Sequence, residues 1–333
     1  MGDKRNAWID ITRVAAAVGI VLCHVDLTAY GAVGLLFGQF LSPRFSVLFF
    51  LAVIGFYLEK SDQAGKRPVL SRVCSLSRVY GVWSLIYLAL SFVMVVLIQK
   101  MSLGQFLMGK VKDFFFSGSY YHFWFYPAVI YALLFIGGVK KLLGDRALRL
   151  LVPLALTLYV VGLLGTAYLP IGRQIPILRN LYEAETFEAV MHLGFLGFPA
   201  IVFGMAAARK SRECPGYVLL LAAAVYVGES VVLCLCLGWR ENPQMLISSP
   251  LLTVQFLHWA QNRTASTGKI NPVLCRTVSS GIYNVHPLFL AAFAFVLPEL
   301  DGMWCFALCL LCSALFGWVL YCFRKIKFFG LFT

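Results

Sequence analysis

The segment "WIDITRVAAAVGIVLCH", Trp8 to His24, opens like a helix that crosses a lipid bilayer, yet it carries Asp10 and Arg13 near one end and His24 deep inside. An ionisable side chain in hydrocarbon costs roughly 2.5–3.5 kcal/mol on insertion scales, so such residues are rare in spans that have no use for them. The segment therefore marks both a membrane helix and a site.

The rest of the chain agrees with the first reading. Of 333 residues, 60% are hydrophobic and only 13% charged, and the apolar residues fall into blocks of about 18–23, the length that spans a bilayer core. This predicts an all-α, polytopic membrane protein. The first block is too long for a cleaved signal peptide, lacks a small-x-small cleavage pattern and is followed by further spans. Ten spans are expected at approximately 10–30, 40–59, 78–99, 120–139, 147–168, 189–208, 216–237, 245–261, 280–297 and 303–323. They form a single transmembrane domain over residues 1–333, with no appended soluble domain and no visible internal repeat.

The net charge of +13 raises the question of a nucleic-acid partner. The basic residues instead sit in short clusters between apolar blocks, the pattern of topology signals, so membrane lipids and no nucleic acid are expected. With a cytosolic N-terminus, twenty-one of the 28 lysines and arginines fall on inner segments, and both termini face the cytosol. The acidic loop "LYEAETFE" and the "PELDG" turn then face outward, and the long outer segments 100–119 and 169–188 are placed to cover a site. The ten cysteines lie mostly in spans or basic loops and read as small packing residues, with no metal site among them.

Arg13 and His24 are eleven residues apart, three turns plus about 20°, so both face one way with about 16 Å of rise between them. Arg13 can snorkel to the interface and pair with Asp10; His24, deeper, is either a hydrogen-bonded core histidine or a working one. The other histidines, His122, His192, His258 and His286, also fall in or near spans, with Tyr283 one turn before His286. Glu229, near the outer end of the seventh span, is equally a functional carboxylate or one reaching the interface. In "RPVLSRVCSLSRVY", Arg67, Arg72 and Arg78 stand at the inner mouth of the third span, where they serve as anchors or as a forked clamp for phosphate.

Taken together these residues resemble the acyltransferase 3 family of integral-membrane acyltransferases. Asp10, Arg13 and His24 match its opening Asp-x-x-Arg and the histidine that follows with ten residues between. "FFLAVIGFYL" (Phe49–Leu58) resembles its Phe-Phe-x-x-Ser-Gly-Phe/Tyr, with Ile54 where the family usually has Ser, and Arg72 or Arg78 matches an arginine-bearing inner segment spaced more widely than the common Arg-x-x-Arg. "HFWFYPAVIYALL" supplies His122, Trp124 and Phe125; "SSGIYNVH" supplies Ser279, Ile282, Tyr283 and His286. The resemblance covers almost the whole chain, in order.

That resemblance implies an O-acyltransferase of the bacterial plasma membrane, with no tightly bound cofactor. It moves an acyl group, commonly acetyl, from cytosolic acyl-CoA as co-substrate to a hydroxyl of a cell-envelope sugar, a lipid-linked glycan or a small molecule. It places catalysis on His24 with Asp10, as proton acceptor or acyl carrier. Arg13, Arg72 and Arg78 would hold the anionic donor. His122, Trp124, Tyr283, His286 and Glu229 are the acceptor-side candidates. Similar membrane domains fused to amino-acid racemases are thought to admit serine, so a transporter is the competing expectation, and a scaffold or sensor the third.

Overall fold

The computed structural model of the chain describes residues 6–66, 68–210, 212–241, 243–263 and 271–332; Lys4, Arg5, Arg67 and Lys269 of the basic clusters lie outside the described residues. The Asn6 side chain accepts the backbone N–H groups of Trp8 (2.9 Å) and Ile9 (3.3 Å), which starts α1, Ala7–Leu22. The helix stops short of the expected residue 30, because Asp26 Oδ1 accepts the N–H of Thr28 (2.8 Å) in a polar turn. His24 lies in that turn, not in regular helix. Short helical pieces and a wide turn at Leu36–Leu41 then lead into α2, Ser42–Gln63.

The helices that follow are α3 (Val69–Ser91), α4 (Leu103–Phe116), α5 (Phe125–Leu143), α6 (Ala147–Leu164), α7 (Phe198–Arg209), α8 (Gly216–Val231), α9 (Ser248–Gln261), α10 (Pro272–Val296) and α11 (Gly302–Cys322). No strand occurs among the described residues. Among the described residues, seven continuous helical stretches are long and apolar enough to cross a membrane. One of them, Phe125–Leu164, has 40 residues, about 60 Å at 1.5 Å per residue and twice a bilayer core. The turn Gly144–Arg146 divides it into α5 and α6. α1 and α9, with 16 and 14 residues, are shorter than a full span. The chain is an all-α polytopic membrane protein.

The segment 100–119, expected as an outer loop, is largely α4. Ser102 caps it by accepting the N–H of Gln105 (3.4 Å), and Leu103, Phe106, Leu107 and Lys110 then repeat at helical spacing.

Charge pairing tells the two ends of the bundle apart. At one end the buried Glu59 of α2 accepts from Lys140 Nζ of α5 (2.6 Å) and Arg209 Nη1 of α7 (2.9 Å), while Lys140 also reaches Asp62 (2.6 Å) and Arg209 reaches Asp145 (3.1 Å). This end also gathers the start of α1, which holds Ala260 and Arg263 through Asn6, and the start of α10, whose Asn271 meets Tyr321 of α11 (2.7 Å). At the opposite end Tyr30 donates to Asp301 (2.8 Å) and Arg173 makes a forked pair with Glu241. Between the ends, α2 and α7 approach most closely at Gly55 and Gly204, where a Cβ on either would strike a carbonyl of the other helix.

Candidate functional site

Pro287 interrupts α10 and cannot donate to the Tyr283 carbonyl one turn back. His286 takes that carbonyl instead: its Nδ1 lies 2.9 Å from Tyr283 O and 3.0 Å from Ile282 O. Two carbonyl acceptors require a proton on Nδ1, which leaves the lone pair on Nε2. Nε2 is buried and has no hydrogen-bond partner among the described residues. His24 stacks on this ring (centroids 5.2 Å, planes 25° apart) and His122 meets it edge-on (5.3 Å).

His122 arrives from a loop set by Gly118. Its φ of +87° is a left-handed conformation that favours glycine, and a Cβ there would collide with the backbone at Phe123 and Trp124. Tyr283 donates to the His122 carbonyl (2.5 Å), and both His122 ring nitrogens are buried without partners among the described residues. Three histidines distant in sequence thus meet, with the His286 ring in contact with both His24 and His122.

His24, His122 and Tyr283 border a cavity of about 890 Å³. Arg13, Arg276, Thr277 and Ser280 wall it toward the end that holds Glu59; Cys23, His24, Arg44, Tyr121, His122 and Tyr283 wall its middle. Glu188, His192, Arg240, Glu241 and Gln244 wall it toward the opposite end. There Arg173 donates to both Glu241 oxygens (2.6 and 2.8 Å), which holds that carboxyl below the usual carboxylate range and keeps the rim charged at neutral pH. His24 is exposed, and no hydrogen bond engages its ring nitrogens among the described residues.

A second cavity, of about 430 Å³, shares Tyr121, Trp124, Glu188 and His192 with the first and is closed by Lys110 and Asp113 of α4. Trp124 and His192 stack face to face (4.0 Å, 10°) between the two, and His192 Nε2 is bonded to the Gln244 side-chain oxygen (3.1 Å). His192 itself sits in a widened turn, Met191–Gly197, ahead of α7, a distortion often found at functional sites.

The sequence profile of the acyltransferase domain family matches residues 6–323. The chain belongs to the acyltransferase 3 family. Two similar proteins of Enterococcus faecalis, each described as an amino-acid racemase, are 27% identical over 186 and 184 residues, covering 54% of this chain and 25% of theirs. The chain thus spans about a quarter of the length of the curated relatives it matches. No solved structure matches the chain.

Within this acyltransferase 3 chain the sequence candidates separate. Arg13, His24, His122, Trp124 and Tyr283 all line the larger cavity, and His286 stands directly behind His24. Asp10 is fully buried behind Arg13, its carboxylate 3.8 Å from the guanidinium. Arg72 and Arg78 are not on the wall. Arg72 is spent on α2, donating to Tyr57 O (2.9 Å), Ser61 Oγ (3.2 Å) and Ile54 O (3.4 Å), and Arg78 is exposed elsewhere.

Glu229 is likewise absent from both cavities. Its carboxylate accepts Tyr168 OH (2.5 Å), the N–H groups of Ile247 and Ser248 (2.8 Å each) and the Ser248 hydroxyl, so it satisfies the open start of α9. Glu229→Ala should cost about 2–3 kcal/mol, since it takes the acceptor from the N–H and hydroxyl of the buried Ser248 and from the half-buried Tyr168 hydroxyl. The check is a thermal melt in detergent: a lower Tm is expected, and a wild-type Tm would contradict a capping role.

Sequence reading missed Arg276 and Arg44. Arg276, Ser280 and Tyr283 line one cavity wall at i, i+4, i+7 on α10, a pattern legible in hindsight. Arg44 falls inside the span expected at 40–59, where nothing in its own segment sets it apart.

Proposed function

We propose that this chain is a membrane-bound O-acyltransferase of the bacterial plasma membrane. It moves an acyl group, acetyl in the first instance, from cytosolic acyl-CoA to a hydroxyl of a cell-envelope sugar, a lipid-linked glycan or a small molecule. The observation that carries this reading is one cavity that joins two guanidinium groups, Arg13 and Arg276, to the imidazole of His24, which has no hydrogen-bond partner among the described residues. In this reading the end bearing Arg13 and both termini face the cytosol.

The arginines supply forked donors for the phosphates of the donor, and the pantetheine arm carries the thioester inward along the cavity. Arg276 uses its Nε on its own helix (Pro272 O, 3.1 Å), which aims the remaining guanidinium nitrogens away from that carbonyl. His24 takes the proton of the acceptor hydroxyl as that oxygen attacks, and returns it to the departing thiolate. The acceptor approaches from the opposite end, past the Trp124–His192 stack, and the polar rim of Glu188, Arg240 and Glu241 suits a hydroxyl-rich molecule.

The test is CoA release from acetyl-CoA by the purified protein in nanodiscs, followed by chromatography because the chain's own thiols would react with colorimetric reagents. Wild type should turn over with water as the slow acceptor. Arg13→Ala and Arg276→Ala should each raise KM about 10-fold or more, the size of one charge-assisted hydrogen bond, while Arg78→Ala leaves KM unchanged. A wild-type protein that neither binds nor cleaves acetyl-CoA would overturn this assignment.

A second reading has a specific observation behind it: the same cavity reaches residues near both ends of the bundle, and the named relatives are amino-acid racemases. Passage of a small amino acid such as serine follows if uptake into vesicles persists after His24→Ala.

A further inference from the structure

Arg44 is the least explained charge in the molecule. It lies in the first turn of α2, beside Ser42, whose hydroxyl donates to the Gly19 carbonyl of α1 (2.9 Å). That contact sets Arg44 at the level of the last turn of α1, directly before His24. Its Nε donates to the Gln39 carbonyl (2.7 Å), which turns the side chain back toward the histidine level. Among the described residues it forms no ion pair, and the cavity is what it faces. Cys23, His24 and His192 line the same cavity.

An arginine held at this depth without a carboxylate is costly unless a ligand or a transient anion completes it. The cavity already offers Arg13 and Arg276 for the phosphates of a donor at its far end. What forms beside His24, in the reading proposed above and on which this inference rests, is a negative charge that exists only during reaction. We infer that Arg44 is a catalytic residue that stabilises the oxyanion formed on the acyl carbonyl when the acceptor hydroxyl attacks it at His24.

The step balances as follows. The hydroxyl oxygen of the acceptor forms a bond to the thioester carbon while its proton passes to the free nitrogen of His24. The carbonyl π pair moves onto oxygen, and that oxyanion pairs with the Arg44 guanidinium. The pair then returns to re-form C=O, the C–S bond breaks, and the thiolate takes the proton from His24. Ester and CoA thiol leave; Arg44 and His24 are restored. A fixed donor aimed at charge that develops only in the transition state raises kcat with little effect on substrate binding.

This requirement gives the test its shape. CoA release by the nanodisc protein is measured for wild type, Arg44→Ala, Arg44→Gln and Arg44→Lys, each also titrated with acetyl-CoA under non-turnover conditions. Arg44→Ala should lose about 10²–10³ in kcat with acetyl-CoA KM within about threefold of wild type. Arg44→Lys should retain more of the rate than Arg44→Gln, and added methylguanidinium should restore part of the Arg44→Ala rate. A structural role would not respond to the added cation. If Arg44→Ala fails to fold, the Lys and Gln variants and their ratio decide. Wild-type kcat in Arg44→Ala, or a loss confined to KM, overturns the oxyanion assignment while the acyltransferase reading stands. No CoA release by wild type overturns both.

Discussion

His24→Ala should lower kcat for CoA release by about 10³-fold, within the range expected for loss of a general base, and leave the affinity for acetyl-CoA nearly intact. The reason is the division of labour along the cavity. The charged groups that would hold the donor lie toward the Arg13 end, and His24 lies further along with its ring nitrogens free of hydrogen-bond partners among the described residues. Behind it, His286 is fixed by two carbonyls with its proton on Nδ1 and stacks flat on the His24 ring. The stack orients the imidazole without competing for its lone pair. His24→Gln keeps hydrogen bonding but not proton transfer, so it should be as slow as the alanine variant. Kinetics with acetyl-CoA, paired with equilibrium binding, separate these cases. Retention of wild-type kcat by either variant would remove His24 from the chemistry and turn attention to vesicle uptake.

Periodicity carried the membrane helices and the shared wall of Arg13 and His24, because both depend on one segment at a time. The same local logic could not say how a side chain is spent by residues far away. Arg72 matched a family motif, yet its donors go to carbonyls and a hydroxyl of α2, a use set by how α3 docks on that helix. Glu229 read evenly as functional or interfacial, and the start of α9 together with the Tyr168 hydroxyl occupies its carboxylate. Arg44 was hidden for the opposite reason: nothing local says what it faces until α1 and α2 are laid side by side through Ser42 and Gly19. His286 could be flagged by its motif, but its tautomer follows only from the proline after it and the Tyr283 carbonyl that proline frees. α4 escaped because its lysines masked a short capped helix, and that helix closes the second cavity.

Gly204→Leu should abolish accumulation of folded protein, and Gly204→Ala should lower stability by about 3 kcal/mol, the upper end of overpacking costs. At the crossing of α2 and α7, a Cβ on Gly204 would fall on the Ala52 carbonyl, and one on Gly55 would fall on the Ile201 carbonyl. Both obstacles are backbone in the middle of buried helices, not the ends of flexible side chains, so neither can yield without separating the helices. In a bilayer such close approach is itself a source of association, through dispersion contacts that a wedge forfeits. The damage extends to the site: α2 carries Arg44, and α7 continues directly from the turn that holds His192, so parting them changes the spacing of two opposite cavity walls. Gly138→Ala on α5 is the matched control, since a Cβ there meets nothing within 4 Å, and it should be neutral or slightly stabilising. Size-exclusion profiles and thermal melts in one detergent compare the three variants. A Gly204→Leu protein that melts like wild type would show that the α2–α7 crossing is not what holds the cavity in shape.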